Sequence, residues 1–128
     1  MIKILVVDDD DIFRGLLKDS LTQSGNKIVT AQDGLRALRE LEKQRFDMVI
    51  TDIVMPEKEG IEVIREIKAK YPDVKIIAMS GGSPFLHAEL NLKLAKKVGA
   101  DLALQKPFMQ NELIASINQL FPNNSNNN

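Results

Sequence analysis

Two textures alternate along this chain. Short, β-branched apolar runs recur at IKILVV (2–7), KIVTA (27–31), FDMVIT (46–51), VKIIAM (74–79) and ADLAL (100–104). Within each run the apolar residues are nearly continuous instead of alternating with polar ones, which predicts strands covered on both faces. Amphipathic segments lie between and after the runs. Ile12, Phe13, Leu16, Leu17 and Leu21 recur at helical spacing, and Gly25 supplies a stop. Leu35, Leu38 and Leu41 predict a second helix, with Asp33 as its N-cap. Ile61, Ile64 and Ile67 predict a third, stopped near Pro72. Leu86, Leu90, Leu94 and Val98 predict a fourth, ended by Gly99, and Leu113, Ile114, Ile117 and Leu120 a fifth, ended before Pro122.

Five strand–helix units in strict alternation call for an α/β fold: a doubly wound, five-stranded parallel sheet with helices on both faces. The crossovers should be right-handed. The expected strand order is 2-1-3-4-5, the flavodoxin-like arrangement with five helices. No internal repeat and no interdomain linker interrupts the pattern, so residues 1–122 read as one domain. The tail NNSNNN (123–128) is polar and of low complexity, without an apolar residue to dock it, and reads as disordered.

Composition narrows the function. The chain has 128 residues, 44% of them hydrophobic and 27% charged, as in an ordinary soluble domain. A net charge of −1 sets up no global field for nucleic acid or an anionic membrane, so neither is an expected direct partner. There is no cysteine, which excludes disulfides, thiolate metal sites and cysteine nucleophiles. No apolar run approaches the ~20 residues of a membrane helix, and KILVV is too short for a signal-peptide core. The cytoplasm is the expected compartment.

In sheets of this kind ligands bind beyond the carboxyl ends of the strands, where the topology reverses. Asp8 and Asp9 follow the first run, Asp52 the third, Ser80 the fourth, and Lys106 and Pro107 the fifth. In the order 2-1-3-4-5 the first and third strands are neighbours, so Asp8, Asp9 and Asp52 should converge in one crevice with Ser80 and Lys106 beside it. Three carboxylates in one crevice retain a proton or admit a cation. Oxygen donors alone favour Mg²⁺, Mn²⁺ or Ca²⁺ over zinc. A lysine and a hydroxyl opposite the metal suit a phosphoryl group, and a carboxylate can become an acyl phosphate. Asp10 and Asp11 read as solvated acids in the first turn of helix one, favoured by its dipole.

With this acidic pair, Asp52 in DIVMP followed by Gly60, Ser80, and Lys106 in KPF, the chain resembles the receiver domain of bacterial two-component response regulators, over residues 1 to about 121. The resemblance implies that Asp52 accepts a phosphoryl group from a sensor histidine kinase or phosphotransfer protein. It implies Mg²⁺ held by Asp9, Asp52 and the backbone carbonyl of Val54, with Asp8 acting through water. Ser80 and Lys106 would hold the phosphoryl oxygens, and the bond before Pro107 would be cis. Such a domain is no enzyme beyond its own phosphorylation and dephosphorylation; its output goes to a downstream effector protein.

Three features depart from the pattern. Relatives commonly carry Tyr or Phe where Ala103 stands, so a different or weaker coupling is expected. The span from Ser80 to Lys106 is a few residues longer than usual, with the extra length in GGSPFLHAELNLK, predicting an enlarged fourth helix or entry loop. No output domain follows helix five, so a partner is expected to carry the signal. The apolar excess at Leu90, Leu92 and Leu94 points to a partner surface or a weak homodimer.

Two other readings compete. In a haloacid-dehalogenase-like phosphohydrolase Asp8 would be the nucleophile and Asp10 the acid/base. Ile12 in place of the usual Thr or Val, the lack of a later Gly-Asp-x-x-x-Asp motif and the lack of room for a cap domain oppose it. A pseudo-receiver would bind partners without phosphorylation; the intact acidic set opposes it, and Ala103 favours it.

Overall fold

The computed structural model describes residues 1–53, 60–80 and 93–122. Five parallel strands form one sheet in the order β2-β1-β3-β4-β5. They are β1 (Lys3–Val7), β2 (Lys27–Ala31), β3 (Met48–Asp52), β4 (Lys75–Ser80) and β5 (Leu102–Gln105). The helices are α1 (Asp11–Gln23), α2 (Gly34–Lys43), α3 (Gly60–Lys70), α4 (helical residues 93–98) and α5 (Gln110–Leu120). The predicted architecture and order are those observed. Strand starts lie zero to two residues from the expected ones, because a pattern of apolar residues does not mark where ladder hydrogen bonds begin.

The burial of the strands follows their place in the sheet. Central β3 is buried throughout, and β1 and β4 are buried after their first residue, whereas edge strands β2 and β5 are mostly half-buried. Alternate residues feed two cores. Leu5, Val49 and Ile76 point toward α2 and α3, meeting Ala37, Leu41, Ile64 and Ile67, with Ala95 of α4 in the same cluster. Ile4, Ile50 and Ile77 point the other way, onto Leu17 and Leu21 of α1 and Leu113 and Ile117 of α5. Each fully buried Ile or Leu contributes roughly 1.5–3 kcal/mol. Among the described residues no helix is long and apolar enough to cross a membrane.

Helix ends agree with local chemistry in most places. Asp33 caps α2 by accepting from Arg36 N at 2.8 Å. Gly25 and Gly99 follow α1 and α4 with φ of 91° and 136°, a region that favours glycine. One expectation is corrected. Asp10 is the N-cap of α1, its carboxylate accepting from Ile12 N and Phe13 N, and only Asp11 is a first-turn acid.

The predicted α1 face is also too wide. Leu17 and Leu21 are buried and Phe13 is half-buried, but Ile12 is 77% and Leu16 62% exposed. At about 100° per residue those five positions spread over roughly half the helix circumference, more than a flat sheet covers. In α4, Leu94 is exposed and Ala95 fully buried, so Ala95 makes the sheet contact expected of Leu94. Leu86, Leu90, Leu92, most of the predicted insertion and the tail 123–128 lie outside the described residues.

Gly60 begins α3 against the end of β3. A Cβ there would lie 2.3 Å from Ile53 Cα and 2.6 Å from the Asp52 carbonyl oxygen. Those atoms are backbone, so α3 must shift to admit a methyl group. Gly60→Ala is expected to destabilise the domain by about 1–3 kcal/mol, the usual scale of overpacking. An unchanged urea midpoint would contradict this contact.

Candidate functional site

The parallel register brings four strand ends together. Val7 pairs with Thr51, Thr51 with Ala78, and Ser80 with Gln105. Asp8 therefore leaves β1 beside Asp52, the last residue of β3, and Lys106 leaves β5 beside Ser80. Backbone bonds hold these exits: Asp8 N donates to Ala31 O, Ile53 N to Met79 O, and Lys106 N to Ser80 O at 2.8 Å. The Lys106–Pro107 peptide is cis.

Asp8, Asp9 and Asp52 each offer a carboxylate oxygen within 4.8 Å of the others. Asp8 is fully buried and Asp52 is 8% exposed, whereas Asp9 lies at the open rim. Lys106 Nζ donates to Asp8 Oδ2 at 2.8 Å and to Asp52 Oδ2 at 3.0 Å. Asp10 N donates to Asp8 Oδ1 at 2.9 Å. The lysine thus joins β5 to β1 and β3 and offsets part of the repulsion between the carboxylates. Ser80 is fully buried, and its Oγ makes no hydrogen bond among the described residues.

Five of the expected site residues, Asp8, Asp9, Asp52, Ser80 and Lys106, fall at this one end of the sheet. Val54 lies outside the described residues. The buried oxygen donors suit a hard divalent cation in kind and number, with room at Asp9 for water to complete the shell. The phosphohydrolase reading finds no support at Asp10, whose carboxylate is engaged as the α1 cap.

Two neighbours were not anticipated. Arg14 donates to the Asp8 carbonyl oxygen at 2.7 Å, and the Phe13 ring lies beside Lys106 Nζ. Both belong to the first turns of α1, which follow directly on the acidic stretch. That adjacency was a usable signal, but the direction of each side chain was not.

Burial pulls the Lys106 pKa down, but hydrogen bonds and charge from Asp8 and Asp52 outweigh it and raise the group above a lysine's ordinary 10.5. The folded state therefore holds this proton more tightly than the unfolded chain. The stabilisation is complete below the unfolded value, a lysine's ordinary 10.5, and is lost as pH climbs through the higher folded one. Metal-free wild type should lose stability more steeply than Lys106→Met over that alkaline window. Parallel urea curves of midpoint against pH would argue against it.

Residues 4–118 match the family described as response regulator receiver domain. Over 117 residues the chain is 38% identical to the transcriptional regulatory protein CpxR of Klebsiella pneumoniae subsp. pneumoniae, covering 91% of this chain and 48% of that protein. It is 35% identical over 119 residues to the response regulator MprA of a Mycobacterium species, covering 93% of this chain and 50% of the relative. The chain thus spans about half the length of these curated relatives. Among solved structures, a response regulator receiver domain protein from Clostridium thermocellum superposes with a TM-score of 0.86 at 33% identity, covering 96% of each chain. TrrA from Thermotoga maritima, solved in complex with Mg²⁺ and BeF, gives 0.82 at 38% identity, over 94% of this chain and 99% of that one. Sheet order, the acidic crevice crossed by a lysine, and these likenesses agree: the chain belongs to the response regulator receiver domains, the signal-transduction modules of two-component systems.

Proposed function

We propose that Asp52 is a phosphoacceptor, charged by a phosphohistidine of a sensor kinase or phosphotransfer protein, and that its phosphorylation changes how an effector is bound. The observation that carries this reading is Lys106 bridging Asp8 and Asp52 beside a buried Ser80 hydroxyl that has no partner among the described residues. A cation, a hydroxyl and a carboxylate nucleophile at the ends of three strands match what an incoming phosphoryl group needs.

In the transfer, an Asp52 carboxylate oxygen forms a bond to phosphorus as the phosphorus–nitrogen bond to the donor imidazole breaks. The electron pair returns to that ring nitrogen, and because the other ring nitrogen carries a proton the donor leaves as neutral imidazole. Lys106 turns from the carboxylates to a phosphoryl oxygen, and Ser80 Oγ donates to another. Such transfers ask the protein mainly for positioning and charge neutralisation. Asp9 and Asp52 would hold Mg²⁺ directly and Asp8 through water, and the bound ion would neutralise phosphoryl charge. Hydrolysis of the acyl phosphate resets the domain.

Signalling follows as a population shift: phosphorylation must favour one arrangement by a few kcal/mol to matter. The exposed Leu94 of α4 is available to an effector or to a second copy in a weak homodimer. This reading implies action in the cytoplasm, where sensor kinases present phosphohistidine.

The test is intact-protein mass spectrometry after incubation with Mg²⁺ and acetyl phosphate. One phosphoryl adduct is expected, mapped to Asp52 by borohydride reduction and not formed when a metal chelator is present throughout the incubation. A wild-type protein that stays unmodified would favour the pseudo-receiver instead.

A further inference from the structure

Phe13 has no part in the chemistry above, yet it faces the lysine on which that chemistry depends. Lys106 Nζ lies 4.3 Å from the centroid of the Phe13 ring while it donates to Asp8 and Asp52. The ammonium group therefore has carboxylates on one side and an aromatic face on another. Phe108, two residues beyond Lys106, braces the ring edge-on, with centroids 5.9 Å apart and planes at 79°. Both rings pack against the core under α1 and α5. The start of α1 is itself held, since Asp10 Oδ1 accepts from Phe13 N at 3.1 Å.

A lysine is a point charge on a flexible stem, and holding it in one rotamer costs conformational entropy. A ring face attracts the ammonium electrostatically. It does so without offering a lone pair that would compete with phosphoryl oxygens, as a polar residue would. An aliphatic side chain fills similar space but lacks the attraction. At the β5 position three residues before the lysine stands Ala103, which has no ring to offer.

We propose that Phe13 is a positioning residue for Lys106: its ring, braced by Phe108, holds the ammonium at the Asp52 side of the crevice before a phosphoryl group arrives. The proposal rests on the phosphoacceptor reading. It assigns α1 a share in the site beyond supplying core contacts.

The test has a spectroscopic and a kinetic arm. In lysine-labelled protein the Lys106 ε-methylene protons, assigned by their loss in Lys106→Arg, should lie upfield of the other lysines because of the Phe13 ring current. Phe13→Leu should return them to ordinary positions, and Phe13→Tyr should leave them upfield. With Mg²⁺ and acetyl phosphate, the rate constant for Asp52 phosphorylation should fall about threefold to tenfold in Phe13→Leu, the scale of a partly desolvated cation–π contact, and return in Phe13→Tyr. Ordinary Lys106 shifts in the wild type overturn the proposal. So does an adduct that forms as fast in Phe13→Leu as in wild type, or a Tyr variant as slow as the Leu one. No adduct on the wild type overturns the phosphoacceptor reading itself, and this proposal with it.

Discussion

Asp52→Asn should take up no detectable phosphoryl group from acetyl phosphate, with a rate at least ~10³-fold below wild type, or about 4 kcal/mol of added barrier. The amide has nearly the shape of the carboxylate, so the end of β3 keeps its register with β1 and β4. What is lost is the anionic oxygen that must bond to phosphorus. Among the described residues no other carboxylate replaces it: Asp8 is fully buried, and Asp10 is occupied with the amides of α1. Asp9 lies at the open rim, exposed to solvent. Intact mass and peptide mapping check the outcome. An adduct of wild-type yield in Asp52→Asn would place the acceptor elsewhere.

Lys106→Met is expected to act on stability and chemistry together. Without metal it removes the ammonium group that bridges the buried Asp8 and Asp52 carboxylates. Breaking a fully buried ion pair by removing one partner costs roughly 3–5 kcal/mol. Here the lysine side chain is 20% exposed, so water screens part of the loss and about 2–3 kcal/mol is the expected cost. Mg²⁺ should reverse most of it, because a divalent charge quiets the same carboxylates. Since Lys106 competes for those oxygens, the variant should bind Mg²⁺ more tightly than wild type. Its phosphorylation should nonetheless slow by about 10²-fold, as after loss of one preorganised charge-stabilising donor. Thermal melts with and without Mg²⁺, paired with mass kinetics, separate the two effects. A variant with unchanged metal affinity would mean that the Lys106 contacts do not oppose the ion.

Much of this site was legible because each candidate residue sits at a fixed offset from an apolar run. A continuous run in a parallel sheet has one carboxyl end, and Asp8, Asp52, Ser80 and Lys106 all stand at or just past such an end. The order 2-1-3-4-5 then leaves Asp8 and Asp52 on adjacent strands. What escaped that reasoning lay in side-chain direction. Ile12 and Leu16 fit helical spacing as well as Leu17 does, and periodicity does not say where the sheet stops covering a helix. Asp10 and Asp11 are chemically alike, and a shift of one residue in helix start made one a cap and the other a first-turn acid.

By itself, then, the sequence determined the alternation of strands and helices, the parallel class, and which polar groups end the strands. Those properties follow from local periodicity and from where each apolar run stops. Only the tertiary structure decided that Lys106 bridges Asp8 and Asp52, that the Ser80 hydroxyl is left without a partner among the described residues, and that the Phe13 ring lies against the lysine. Each of these depends on rotamers and on distances between segments up to 98 positions apart, set by the joint packing of two cores rather than by any single stretch of chain.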